Sequence, residues 1–279
     1  MNIKFVINDY ILIWTLLFQA SVSEPIHKLK QKLWINYKNE YNSIYNDKHL
    51  ILKEGKNFIP SDDTIYNIVM ESKEYEKIKK AVEKYHLEIV KLWDNKTIKV
   101  NEQLSSIIKM KIEDCTIYVV DNELNLIDNN KMINKNIITL GKKIDKKNPM
   151  SLITDLSLEI LKKEVKDYRA MGSNKLIADA IIDLAINNEL ATRISKTSTY
   201  FEGNPNLVYI KRQLYPYWLM YLGVKKEDMT SLMSRDKIAF DIDKFPYEEK
   251  LKVMNIEEFI NFCILNRNYL VREEQLEVI

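Results

Sequence analysis

The residues best suited to chemistry lie on two consecutive predicted helices near the middle of the chain. On the first, Asp155, Glu159 and Lys162 are spaced three and four residues apart, so they share one side of a helix. On the second, Asp179 and Asp183 repeat the four-residue spacing. Carboxylates in such a pattern can act as a general base or as oxygen ligands of a divalent cation. These five residues are the central candidates for a functional site.

A strand, a loop and two helices over residues 136–195 must position these side chains. Residues 136–141 are β-branched and close with a glycine, which predicts a strand that ends in a turn. Asn148 and Pro149 predict the start of a helix, since Asn caps a first turn and Pro suits the first helical position. Ser173 and Asn174 can cap the next helix, and both helices have apolar residues at three- and four-residue intervals.

The segment NIITLGKK and the helix that follows it resemble zincin-type metallopeptidases. In zincins an edge strand precedes a helix carrying His-Glu-x-x-His, and gluzincins take a third ligand, a glutamate, from a following helix. The resemblance places Leu158 and Lys162 at the two histidine positions, Glu159 at the general base, and Asp179 or Asp183 at the third ligand. Leucine and a lysine ammonium offer no lone pair, so we expect no zinc site and no metal ligands here.

Two other interpretations of these residues stay open. In one, Glu159 and Lys163 form an i,i+4 ion pair on the solvated face of an amphipathic helix. In the other, Asp155 and Glu159 form a carboxylate cluster with Asp179 or Asp183. Such oxygen ligands suit calcium, magnesium or manganese better than zinc.

Composition places the chain among ordinary globular proteins. Its 279 residues, 46% of them hydrophobic and 29% charged, can bury a sizeable core. The 42 Lys and Arg residues nearly balance 40 Asp and Glu residues, which gives no broad electrostatic reason to expect nucleic-acid binding. The five glycines form no phosphate-binding loop. The two cysteines, Cys115 and Cys263, support neither a disulfide framework nor a cysteine zinc site.

Helices should dominate, with a few short strands ahead of the central helix pair. Periodicity predicts an aromatic-rich helix over 26–52, a long helix over 65–93 and a shorter one over 100–110. Residues 115–120 and 124–127 have strand character. Such an order gives a small sheet backing helices.

We therefore expect one α+β domain, predominantly helical, with a zincin-like core. Its expected parts are a mainly helical region at 1–110, the sheet and central helix pair at 111–195, and a helical region at 196–279. Near the C-terminus, Asn255 and Glu258 predict a capping box that starts a helix.

Two tyrosines downstream of the central helices are further candidates. Tyr200 lies in the polar loop 197–207, which directly follows the second central helix and could edge a cleft. Tyr217 belongs to the aromatic cluster 215–221, on a helix expected to start at Asn204. A tyrosine-lined wall could receive an extended peptide, and a buried aromatic core is the competing explanation.

The first twenty residues are apolar but are interrupted by Asn8 and Asp9. We interpret them as a strand or helix packed on the body, and we expect a cytoplasmic protein. The alternative is a signal peptide over residues 1–23 and a secreted protein. No uninterrupted run of about 18 apolar residues predicts a membrane span.

The most consistent functional hypothesis is a catalytically inactive metallopeptidase-like protein that binds a peptide or protein partner without a cofactor. In it, Lys162 would neutralise Glu159 and Asp179 in place of a metal ion. One alternative is an active hydrolase with a carboxylate-bound metal and Glu159 as base. Another is a structural or interaction protein unrelated to peptidases.

Overall fold

The computed structural model describes residues 1–20, 23–46, 51–53, 57–60, 62–129, 137–166, 168, 171–195, 203–235, 238 and 248–271. The strands are β1 (Ile3–Val6), β2 (Ile51–Lys53), β3 (Asn57–Ile59), β4 (Cys115–Val119), β5 (Leu126–Asn129) and β6 (Ile138–Gly141). The helices are α1 (Asp9–Phe18), α2 (Glu24–Asn36), α3 (Lys38–Asn46), α4 (Thr64–Met70), α5 (Lys73–Asp94), α6 (Thr97–Ile108), α7 (Met150–Glu164), α8 (Lys175–Asp183), α9 (Ala191–Ser195), α10 (Val208–Tyr221), α11 (Lys226–Arg235), α12 (Ile256–Leu265) and α13 (Arg267–Leu270). A π-helix over Leu184–Leu190 joins α8 to α9.

The fold is α+β and predominantly helical, with a small mixed sheet packed against helices, as the sequence predicts. The chain forms two compact units. The first comprises residues 1–96 and 113–160, and the second comprises residues 97–112 and 161–279. The boundary falls within α7, after Ile160. The expectation of a single domain stays a prediction.

The four-stranded sheet of the first unit has the strand order β1-β4-β6-β5, and β2 and β3 form a separate antiparallel pair. Strands β1, β4 and β6 are parallel, and β5 runs antiparallel to β6. All four residues of β6 are buried, and neighbouring strands flank it on both sides. The strand that directly precedes α7 is therefore internal, and the edge position that the zincin resemblance assigns to it is taken by β5.

Helices of the first unit are more interrupted than the apolar periodicity predicts. The helix expected over 26–52 divides into α2 and α3 at Tyr37, whose backbone (φ −139°, ψ 43°) is not helical, and residues 51–53 form β2. The helix expected over 65–93 divides at Ser72, because its Oγ accepts the Tyr75 N–H at 3.1 Å and caps a new helix, α5. Apolar spacing continues across such breaks and does not reveal them.

The N-terminal residues form β1 and α1, in keeping with the expected strand or helix. Asn8 caps α1 through its side chain, and the α1 residues from Ile11 to Leu17 are buried. Within the described ranges, no helix has both the length and the apolar character needed to cross a bilayer.

An aromatic core organises the second unit around α10. Trp218 and Tyr221 stack at 5.0 Å between ring centroids, and Tyr221 stacks on Phe259 of α12 at 4.7 Å. Helix α10 packs against α8 and α11, and α12 also packs against α8. The aromatic cluster of the sequence is thus mainly core.

The capping box at the start of α12 is present as predicted. The Asn255 side chain accepts the Glu258 N–H at 3.0 Å, and the Glu258 carboxylate accepts the Asn255 N–H at 2.9 Å. We expect Asn255→Ala to lower the free energy of unfolding by about 1 kcal/mol, since it removes the capping acceptor. Denaturant unfolding measures this change. Asn255→Asp keeps an acceptor oxygen and should retain most of the stability, and an alanine variant as stable as the wild type would contradict the assignment.

Candidate functional site

Helix α7 carries the residues that the resemblance places at a zinc centre. Its buried face is formed by the apolar residues predicted for it, Leu152, Ile153, Leu156, Ile160 and Leu161. Leu158, Glu159 and Lys162 are half-buried. Among the residues that the structure describes, no three His, Cys, Asp or Glu side chains lie close enough together to hold a metal ion.

Asp155, the other candidate carboxylate of α7, forms an ion pair within the first unit. Its Oδ2 lies 2.5 Å from Nζ of Lys142, the residue that follows β6. The two side chains keep 35% and 38% of their surface exposed, so the pair adds at most about 1 kcal/mol of stability. Asp155 is thus paired with a neighbouring cation. On the same helix, Nζ of Lys163 lies 3.4 Å from Oε1 of Glu164.

Asp179 of α8 is a half-buried carboxylate of the second unit. It accepts a hydrogen bond from the hydroxyl of Tyr168, whose ring is mostly buried. The ammonium of Lys175 lies 5.3 Å from the centre of that ring. Asp179, which the resemblance offers as a third metal ligand, therefore belongs to a local polar cluster with Tyr168 and Lys175.

Asp183, at the end of α8, is the most elaborately surrounded of the candidates. Its Oδ2 lies 2.5 Å from Nζ of Lys211 on α10, and its Oδ1 accepts a hydrogen bond of 2.6 Å from the Asn187 amide. The backbone N–H of Asn204 contacts Oδ1 at 3.5 Å. The Lys211 side chain has no exposed surface and that of Asp183 has 3%. A buried charge is costly unless it is paired and hydrogen-bonded, and here both charges are.

Gly203 completes the surroundings of Asp183. Its φ of +101° is a conformation that side chains rarely adopt, and a Cβ at this position would overlap both Asp183 carboxylate oxygens and the Asn187 amide. Only glycine lets the backbone lie against the carboxylate. Next to it, the Asn204 side chain accepts the Asn206 N–H at 3.0 Å and turns the chain toward α10.

The π-helix Leu184–Leu190 places two asparagines beside this pair. The Asn187 amide donates to Asp183, whereas Asn188 is 3% exposed and neither its Nδ2 nor its Oδ1 has a hydrogen-bond partner in the described part of the chain. An unpaired buried amide costs about 1–3 kcal/mol. Buried polar groups without hydrogen-bond partners and π-helices both recur at functional sites.

Lys211, the cation that pairs with a candidate carboxylate, was not predicted from the sequence. The signal was present: Lys211 follows Leu207 by four residues and precedes Leu214 by three and Tyr215 by four, so it lies on an apolar helix stripe. All three neighbours are buried. A lysine on such a stripe needs a buried acid, and the acid is Asp183.

The two candidate tyrosines have separate outcomes. Tyr217 is 8% exposed, and burial, followed by Cys263 and Glu248, raises the pKa of its phenol. It lies in the core of the second unit rather than on an open wall. Tyr200 lies outside the described residues.

An open cleft of about 510 Å³ lies in the first unit. One wall is the last part of α5, with Tyr85, Glu88, Lys91, Leu92 and Asn95. The other wall comprises Asn122, which follows β4, and Lys143, Ile144 and Lys146, which follow β6. Because β4 and β6 are parallel, their carboxyl ends lie at the same edge of the sheet, where open α/β sheets bind ligands.

A tyrosine fixes the two walls of this cleft to each other. The hydroxyl of Tyr85 donates a hydrogen bond to the carbonyl of Lys142, at the start of the loop after β6. Burial raises the pKa of the Tyr85 phenol, so the group stays protonated and remains a donor at neutral pH. The cleft combines residues from three distant segments, which is why no local motif predicted it.

Protein-family models, curated proteins and solved structures were compared with this chain, and none matches.

The contact between Gly203 and Asp183 makes a stability prediction. We expect Gly203→Ala to lower the free energy of unfolding by more than Gly172→Ala, measured by denaturant unfolding. Both glycines have positive φ, but a Cβ at Gly172 meets nothing within 4 Å. The control therefore shows only the backbone cost of about 1–2 kcal/mol, and Gly203→Ala adds overpacking of about 1–3 kcal/mol. Equal losses in the two variants would contradict the described contact.

Proposed function

We propose that this chain is a catalytically silent, metallopeptidase-like protein that binds a peptide or protein partner. The observation that supports catalytic silence is the ion pair of Lys211 with Asp183, because Asp183 lies at a position that the resemblance offers for a metal ligand. A fixed ammonium neutralises the carboxylate that a cation would otherwise hold. In this proposal Lys211 takes the role that the sequence analysis gave to Lys162.

The residues that replace the two histidines on α7 also support catalytic silence. Leu158 and Lys162 occupy the two histidine positions, and neither supplies a lone pair to zinc. Glu159 alone is retained, and in a zincin this general base acts on a water that the zinc ion activates. We accordingly propose that the protein has no resident metal or cofactor.

The cleft of the first unit supports the binding half. Its volume of about 510 Å³ falls within the range of known ligand sites, about 300–1,000 Å³. It is open, and both apolar and polar side chains line it. Half-buried Leu92 and Ile144 can bury a partner's apolar side chain, while Asn95 and Asn122 can bond its backbone. We place a short extended segment of the partner there.

Catalytic silence is tested with random-sequence peptides incubated with the protein and added zinc, manganese, magnesium or calcium. Mass spectrometry then detects any new peptide ends. We expect no metal-dependent cleavage by the wild type or by Glu159→Gln. Cleavage by the wild type that Glu159→Gln abolishes would contradict the proposal and favour an active hydrolase.

Binding is tested by retaining the same peptides on the immobilised full-length protein. We expect the wild type to retain a subset of them and Asn95→Trp to lose that subset, because an indole at this exposed position fills the cleft. Asn67→Trp adds the same bulk to exposed α4 and should retain the subset. If the wild type retains no peptide, or if both tryptophan variants behave alike, peptide binding at this cleft is wrong.

We also propose a cytoplasmic location. Cys115 and Cys263 are both free and buried, and burial raises the pKa of the Cys263 thiol. Unpaired cysteines are usual in reducing compartments. Fractionation of the source cells that recovers the protein only outside the cytoplasm would contradict this.

Removing one member of the buried ion pair should be far more costly than removing both. We expect Lys211→Met to lower the free energy of unfolding by about 3–5 kcal/mol, because it leaves the Asp183 carboxylate buried and unpaired. Adding Asp183→Asn should restore part of that loss. Denaturant unfolding of the two single variants and the double variant gives the coupling energy, and losses that simply add would contradict a direct pair.

A further inference from the structure

We infer that the segment bound in the cleft of the first unit is acidic, with an apolar side chain between or beside its carboxylates. This inference rests on the proposed peptide binding and adds the chemistry of the partner to it.

The charges on the cleft walls favour an anionic ligand. Lys91, Lys143 and Lys146 line it, and Glu88 is the one carboxylate among its lining residues. Lys143 is already paired with Glu123 at 2.8 Å. In the part of the chain that the structure describes, no carboxylate forms an ion pair with Lys91 or Lys146. Two exposed ammonium groups on opposite walls are therefore available to a ligand's carboxylates.

Charge alone does not define the ligand, because the cleft also has an apolar floor. Leu92 and Ile144 are half-buried, and Tyr85, which also lines the cleft, is buried. An apolar side chain placed there loses water contact and gains about 25 cal/mol for each Å² buried. The walls thus match an acidic peptide with one apolar residue better than a uniformly charged polymer.

The two lysines lie on different segments of the chain. Lys91 is in the last turn of α5, where a cation is stabilised by the helix dipole, and Lys146 lies four residues after Lys142, whose carbonyl accepts the Tyr85 hydroxyl. A ligand that neutralises both must span the cleft. A segment with acidic residues on either side of its apolar anchor satisfies this requirement.

The test is selection of short random peptides displayed on phage against the full-length protein at low and at physiological salt. We expect the selected peptides to be enriched in Asp and Glu around an apolar residue. A Lys91→Glu, Lys146→Glu double variant should bind a synthetic copy of the selected peptide on the order of tenfold more weakly or worse. Binding by the wild type should also weaken as salt rises.

The matched control is Lys77→Glu, which reverses an exposed lysine on the same helix, about 21 Å from Lys91 along its axis. It should bind like the wild type. Peptides selected without acidic enrichment, or bound equally by the double variant, would overturn the inference while leaving peptide binding intact. No selected peptide at all would overturn the proposed function itself. A single-stranded DNA oligonucleotide that displaces the acidic peptide through Lys91 and Lys146 would favour a nucleic acid and overturn the inference.

Discussion

The second unit depends on one buried ion pair, between Asp183 at the end of α8 and Lys211 on α10. Neither charge is stable in the interior alone, so each determines where the other must lie. The groups around the pair either hydrogen-bond the carboxylate or leave room for it. Asn187 and the Asn204 backbone satisfy the carboxylate, and Gly203 allows the chain to pass against it. Helices α8 and α10, the π-helix and the turn before α10 are joined at this point.

In our proposal, the same pair takes the place of a metal ion at one of the positions that the metallopeptidase resemblance offers for a ligand. The ammonium of Lys211, on a neighbouring helix, supplies the positive charge that a cation would otherwise bring to the Asp183 carboxylate. Asp155 and Asp179 have their own partners, Lys142 and Tyr168. In our proposal the site has therefore changed from a reactive centre into a structural one, and binding occurs in the cleft at the carboxyl ends of β4 and β6.

Much of the fold could be predicted from local sequence, and so could candidate carboxylates such as Asp183, whereas the partners that surround them could not. The strand before α7, the helical turn that Asn204 caps just ahead of α10, and the Asn255 capping box follow from side chains acting within a few residues of themselves. The breaks at Tyr37 and Ser72 were missed because apolar spacing continues across them. Lys211 was missed because its partner lies 28 residues away.

The cleft could be predicted even less from the sequence, because its lining residues come from distant segments of the chain. Tyr85, Asn122 and Ile144 come together only through the parallel pairing of β4 with β6 and the packing of the first unit, and no spacing along the chain encodes that arrangement. The sequence has four lysines within residues 142–147, directly after the predicted strand, but it does not indicate which segment faces them across the cleft. The set of charged side chains that line the cleft can be identified only when the sheet topology is known.

The most direct test of catalytic silence is the metal content of the purified, untagged protein, measured by mass spectrometry after equilibration with zinc, manganese, magnesium and calcium. The comparison protein is a Glu159→Ala, Asp179→Ala double variant. We predict that neither protein retains stoichiometric metal, because Lys211 already neutralises Asp183 and the histidine positions hold Leu158 and Lys162. Near-stoichiometric metal in the wild type that is lost from the double variant would contradict this and would restore the hydrolase hypothesis.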